Sequence, residues 1–426
     1  MNYPFWPLHF DAAAHLTEPV ADAPSWQRAA GRLTDLFVFS HGWNNDGAMA
    51  TQLYEAFFAE VAKLPARPDA SIGVAGVFWP SMLLSAPGQH QDLDALHHLL
   101  QRRPDNHAAL LEFRARLGSF MRAEPAANRD DPEFLAATAS EADWQPVLRA
   151  MAGPGSDGGA AGVGFVFANL WQGALNLLRV ATFWQMKHRA AIIGRNGLGP
   201  LLGQIHQATP ALRIHLIGHS FGARLVSYAL TGLPNVTPSP VKSLFLLQGA
   251  FSHFAFADAL PFDTARHGDL AGMSTRVDGP LLATFSRKDT AIGLAYPAAS
   301  IVARQDAADA ADLMYRWEGM GCDGAQAVGA DCVPLTAPGT MYPFRAGHWL
   351  NLDANLVIKN GAPPEGAHGD IVHPETAWAA LSAASLALLS NPRPALLAEP
   401  RPALLAEPRP ALLTNPRLAL LTEPRT

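Results

Sequence analysis

A chain of 426 residues with 49% hydrophobic and 16% charged residues can bury a large core, which excludes wholesale disorder. Its net charge of -6, with no basic stripe, gives no electrostatic footprint for a nucleic-acid partner. The longest apolar stretch, residues 163–178, is interrupted by Asn169, Gln172 and Asn176, so no integral membrane segment is expected.

The first residues lack both the basic and the apolar region of a secretory signal, so the expected location is the cytoplasm. The two cysteines, Cys322 and Cys332, are too few for a metal framework. They are read as unbridged thiols, with pairing across a Gly-rich loop as the alternative.

In chain order, residues 1–34 read as irregular, because Pro4, Pro7, Pro19 and Pro24 discourage long helices. The run 36–40 is apolar enough for a buried strand and ends in H-G-W-N-N-D at 41–46. A glycine just past a strand end lets the backbone turn its N–H groups toward a ligand, which makes the N–H of Trp43 or Asn44 a candidate oxyanion donor. A helix over 53–61 and a strand over 72–78 complete a strand–helix–strand unit, so the two strands should be parallel.

The alternation then stops. Residues 84–193 contain no convincing strand, only polar helices at 92–103 and 107–122, a Gly-rich linker at 152–164 and a long apolar helix at 165–193. They read as a helical insertion, a cap that would exclude water from a site beneath it, or alternatively a subdomain packed elsewhere. A short helix at 198–206 leads out of it.

The centre of the chain is the stretch 213–230. An apolar strand, 214–217, runs into Gly218-His219-Ser220-Phe221-Gly222, after which Leu225, Val226 and Ala229 recur at helical spacing. A G-x-S-x-G between strand and helix pushes the serine hydroxyl into the open on a sharp turn, and its glycines let strand and helix approach. Ser220 is the candidate nucleophile. The N–H of Phe221, at the helix start, is a second candidate oxyanion donor.

Further strands are expected at 241–247, 281–286 and 355–359, and a final helix at 374–389. Asp289 falls in the turn after the strand at 281–286, where a carboxylate could orient a histidine, with Asp263 as the alternative. The loop before the last helix carries His368 and His373, and His368 in its Gly-rich setting is preferred. Residues 304–346 read as a second irregular insertion. No H-E-x-x-H or comparable metal pattern occurs, and no cofactor is called for. From Ala387 the chain repeats an octapeptide five times, ALLSNPRP to ALLTEPRT. A proline every eight residues prevents any long helix there, so 390–426 is expected to be an extended tail.

The segments 41–46, 218–222, 286–289 and 366–370 together resemble those of the α/β-hydrolase superfamily, and among its members the bacterial serine hydrolases with an H-G-W-N-N loop and a G-H-S-F-G elbow. The resemblance implies an α/β fold with a mostly parallel sheet flanked by helices. It divides the chain into a catalytic domain from 1–83 and 194–389, a helical insertion at 84–193 and the tail. It also implies ester hydrolysis through an acyl-enzyme, with Ser220, His368 and Asp289 as triad and the N–H groups of Phe221 and Trp43 or Asn44 around the oxyanion. In many such proteins the cap follows the strand after the elbow helix, whereas here the long insertion precedes the elbow strand. The same machinery would serve an amide, peptide or thioester. A binding or scaffold protein that keeps the fold without chemistry is the alternative of another class.

Overall fold

The computed structural model describes residues 2–18, 31–82, 91–102, most of 108–116, 185–291, 318–362, 366–388 and 393–394. Its centre is a sheet of eight strands: β1 (Phe5–His9), β2 (Asp35–Ser40), β3 (Ile72–Phe78), β4 (Arg213–His219), β5 (Val241–Leu247), β6 (Leu281–Phe285), β7 (Asp331–Pro334) and β9 (Trp349–Asp353). They lie in the order β1-β3-β2-β4-β5-β6-β9-β7. Every pair in the sheet is parallel. A two-residue strand, β8 (Thr340–Met341), pairs separately with β10 (Arg393–Pro394) at the start of the repeat tail.

Side chains alternate across this sheet, and both sets are buried. In β2, Leu36 and Val38 join the core on one face, together with Leu225 and Val226 of α4 (Phe221–Gly232) and Leu201 and Leu202 of α3 (Gly199–Ala208). Phe37 and Phe39 point the other way, into a core with Tyr54, Phe57 and Phe58 of α1 (Gly47–Ala62) and Trp378 of α6 (Pro374–Ala383). Parallel strands covered by helices on both faces are mostly apolar, which is why β2 to β6 stand out in the sequence, with His215 in β4 and Lys242 and Ser243 in β5 as polar interruptions. The fold is a three-layered α/β arrangement.

Three features of the elements were not expected. β1 lies inside the stretch read as irregular, and its Pro7 is tolerated because β1 is an edge strand. The last long strand is β9 at 349–353, not 355–359. Residues 355–358 form the turn that follows it, with Val357 N and Ile358 N both donating to Ala354 O. β7 and β8 also occupy part of the region read as a second irregular insertion.

α2 (Gln91–Arg102) matches the first helix expected in the long insertion, and the described residues of 108–116 are helical as well. The linker at 152–164, most of the helix expected at 165–193, and with them the cap assignment lie outside the described residues, as does most of the tail. The helix that emerges at residue 185 passes through a π-turn, Ile193–Leu198, into α3. There the chain presses on α4 so closely that a Cβ on Gly194 would stand 2.1 Å from Leu225 O. Cys322 and Cys332 form no disulfide. Among the described residues no helix is long and apolar enough to cross a membrane.

Candidate active site

All parallel strands point their C-terminal ends to one edge of the sheet, and the loops leaving that edge meet at Ser220. β4 ends at His219 and α4 begins at Phe221, so Ser220 alone makes the turn, at φ 58°, ψ -123°. A non-glycine residue in such a conformation costs on the order of 1–3 kcal/mol and persists only where its surroundings fix it. Here they do. Ser220 N donates to Leu247 O (3.1 Å), and Ser220 O accepts from Ala223 N (3.1 Å) and Ala250 N (3.2 Å). The motif glycines are spatial requirements: a Cβ on Gly222 would lie 2.1 Å from Ser40 O, and one on Gly218 would lie 2.4 Å from Gly222 O.

Ser220 Oγ lies 2.8 Å from His368 Nε2, and His368 Nδ1 lies 2.8 Å from Asp289 Oδ2. These three sequence-selected residues therefore form one continuous hydrogen-bonded relay. Asp289 is fully buried in the turn after β6, and its peptide N–H donates to Ser286 O at 3.1 Å. A carboxylate that accepts from Nδ1 makes that nitrogen the protonated one, so Nε2 faces the serine as an acceptor. His368 sits in a short 3-10 turn, Gly366–Gly369, and the turn is fastened to the Asp289 loop by Ala367 N donating to Lys288 O at 3.0 Å.

The alternatives lie elsewhere. His373 turns to Asp370 (Nε2 to Oδ1, 3.0 Å) at the start of α6. Asp263 is exposed in a surface turn, where it accepts from Ala265 N.

The loop after β2 closes the site from the opposite side. A Cβ on Gly42 would be 2.7 Å from Ser220 Cβ and 3.2 Å from Ser220 Oγ, so Gly42 puts bare backbone against the nucleophile. Several bonds hold this loop. Tyr54 Oη accepts from His41 N (2.9 Å) and donates to Val77 O (2.5 Å). Trp79 Nε1 donates to His41 O at 3.0 Å, and the two rings stack. Ser81 Oγ accepts from Asn45 N (3.1 Å) and donates to Asn45 O (2.8 Å).

One expectation is corrected here. Asn44, at φ 61°, donates its N–H to Ser81 O at 3.1 Å, away from the role of oxyanion donor. Trp43 and Phe221 remain as the candidate pair. Their rings lie 6.2 Å apart on either side of the elbow.

Three supporting side chains escaped the sequence reading. Gln248, buried just past β5 at φ 47°, donates through Nε2 to Asp289 Oδ2 (2.9 Å) and to Gly321 O (3.0 Å). Its Oε1 accepts from Thr284 Oγ1 at 3.1 Å. His219, inside the elbow motif itself, donates from Nε2 to the backbone carbonyl of His368 at 2.9 Å, with the two rings 5.0 Å apart. Ser81 is the third. The signal available for Gln248 was a polar residue immediately after a buried strand, at the edge where the site forms.

Burial sets the protonation state of two neighbouring rings. It pushes the His219 imidazole down to about 3, helped by the positive field of His368, and pushes His41 down to about 4 against a hydrogen bond to Gly42 O. Both rings are therefore neutral at physiological pH, and His219 Nδ1 has no hydrogen-bond partner that a second proton could use.

A further buried histidine, His215, pairs with Asp35 at 2.8 Å and with Ser243 at 2.9 Å. It lies near the start of β4, remote along the strand from Ser220, and serves as a satisfied polar contact within the sheet.

The chain matches no family model, no curated protein and no solved structure.

Proposed function

We propose that this chain is a serine hydrolase of the α/β-hydrolase type, a carboxylic ester hydrolase that cleaves apolar acyl esters through an acyl-enzyme. The observation that carries the reading is the relay Ser220–His368–Asp289, with both hydrogen bonds at 2.8 Å and the serine held at positive φ on a strand-to-helix elbow. Such an arrangement matches what acyl transfer needs: a nucleophile, a base in reach of it, and a buried group that fixes the base.

In the proposed cycle Ser220 Oγ attacks the ester carbonyl as His368 Nε2 takes its proton. The tetrahedral oxyanion is held by the N–H groups of Phe221 and Trp43, a donor of this kind contributing about 3 kcal/mol. The imidazolium then protonates the departing alcohol, leaving Ser220 acylated. Water, deprotonated by the same nitrogen, releases the acid and restores the serine. Asp289 keeps the imidazole in one tautomer and stabilises its cation, and Gln248 keeps Asp289 in place. Of the two rings beside the elbow, Phe221 is buried in the core and Trp43 is partly exposed, so Trp43 is the apolar side chain proposed to meet the acyl group.

The test is turnover of p-nitrophenyl esters of increasing acyl length beside matched anilides. Ester cleavage that falls about 10⁶-fold in Ser220→Ala and about 10⁴-fold in Asp289→Asn is the expected result. Faster cleavage of the anilides would move the assignment to an amidase or peptidase. A folded protein that turns over neither would favour a scaffold.

A further inference from the structure

A second cluster of reactive side chains stands beside the acid of the relay, and the proposed reaction does not use it. His253, Glu318 and Asp323 each place one ligand atom so that all three lie within 4.8 Å of one another. His253 Nδ1 is 2.9 Å from both carboxylate oxygens of Asp323. The Cys322 thiol donates to Glu318 Oε1 at 2.9 Å, so a sulfur borders the same group of oxygens. His253 and Glu318 are buried, while the Asp323 side chain keeps 19% of its surface exposed.

The donors come from two segments zipped together by backbone bonds. His253 N donates to Glu318 O, Met320 N to Phe251 O, Gly321 N to Gly249 O and Gln326 N to His253 O, at 2.9–3.3 Å. The one-turn helix α5 (Met320–Asp323) ends at Gly324, whose φ of 86° turns the chain back. The backbone bonds hold the main chain of His253, Glu318 and Asp323 in one place.

The chemistry of this donor set is selective. Ca²⁺ and Mg²⁺ ask for six or more oxygens, which three side chains cannot supply. One imidazole nitrogen and two carboxylates in a small, mostly buried shell suit a borderline divalent cation that accepts four ligands. Ligand atoms around Zn²⁺ sit roughly 3.4 Å apart, given bonds of about 2.0–2.2 Å in a tetrahedron. Reaching that spacing requires the 2.9 Å His253–Asp323 contact to open by about half an ångström and the other pairs, which lie within 4.8 Å, to draw in around the ion, with the partly exposed Asp323 having room to move. Its exposed side supplies an entry path and a place for a water as fourth ligand.

We propose that His253, Glu318 and Asp323 form a binding site for a divalent cation of the Zn²⁺ class. The cation acts on the relay at one remove and touches no substrate. Gly321 O, in the same turn as Asp323, accepts from Gln248 Nε2 and from Ser286 N, and Gln248 Nε2 also reaches Asp289. Filling the site fixes the turn to which Gln248 and Ser286, two residues bonded to Asp289, are tied.

The experiment is metal analysis of the full chain, stripped with a chelator and titrated with Zn²⁺, with His253→Gln, Asp323→Asn and Glu318→Gln beside it. One Zn²⁺ per native chain is expected. Each variant should show affinity weaker by about 100-fold while its circular dichroism stays native, since each removes one of three ligands. The three substitutions are separate, so a variant that does not fold leaves the other two to decide. Native protein that binds no Zn²⁺, or folded variants that bind it as well as the native chain, would overturn the site. Neither readout involves ester turnover, so a failure of the hydrolase assignment leaves this result readable.

Discussion

At the scale of single residues, the strongest constraint is steric. Gly42 faces Ser220 so closely that a methyl group at position 42 would stand 2.7 Å from Ser220 Cβ. Gly42→Ala should therefore fold, since the loop is anchored at His41 and Asn45, but lose about 10²-fold in kcat/KM, as displacements near 1 Å at a reacting centre do. Steady-state kinetics with thermal melting as control checks this.

Protonation gives a second prediction at this scale. His41 and His219 are held well below the ordinary histidine value of 6.5, so the folded state keeps them neutral where the unfolded chain binds protons. The stability they contribute is complete above about pH 6.5. It falls by about 1.4 kcal/mol per pH unit per ring as pH drops toward 4. Urea unfolding from pH 7 to 4.5 should show this slope, and His219→Gln should make it shallower by one ring's share.

At the scale of elements, the site is an edge where strand ends are fastened to one another. Ser81, just past β3, holds the loop after β2 through both its side chain and its carbonyl. Ser81→Ala removes two of those bonds, at a cost of about 1 kcal/mol each. The predicted effect is a fall in kcat with KM little changed, because on the proposed reading Trp43 N–H in this loop serves the transition state more than the ground state. An equal rise in KM with unchanged kcat would contradict it.

What could be read from the chain follows from the same geometry. β2 to β6 are buried on both faces and so appear as predominantly apolar runs, whereas β1 carries Pro7 and is paired on one side alone. The run 355–358 looks like a strand because Val357 and Ile358 are apolar. Ile358 is buried by folding back in a turn, where its carbonyl accepts from Ser286 Oγ at 2.7 Å. Ser220 and Asp289 were legible because each sits just past a strand end, and His368 because it lies in the Gly-rich loop between the last long strand and the last helix, completing a fixed chain order. Gln248, His219 and Ser81 were not, because their roles depend on which loop lies opposite. Asn44 was misread for a related reason: its N–H direction is set by Ser81, a neighbour only in space.

At the scale of the whole molecule, the described helices and strands form a closed core on both faces of the sheet without the repeats beyond residue 394. The described residues of the repeat region belong to its first copy: Ala387 bridges to Ala66, Leu388 N donates to Pro65 O at 2.8 Å, and Arg393–Pro394 pair with β8. Truncation after residue 394 should leave the melting temperature within about 2 °C and ester turnover within twofold, since it keeps every described core residue. Differential scanning calorimetry and the ester assay on the shortened chain test this.

The central claim is that Ser220 is an activated nucleophile, and covalent labelling by a fluorophosphonate probe tests it most directly. The account predicts that the native protein is labelled at one site, that mass spectrometry places the adduct on Ser220, and that Ser220→Ala is not labelled. A well-folded native protein that resists the probe, or equal labelling of Ser220→Ala, would contradict it.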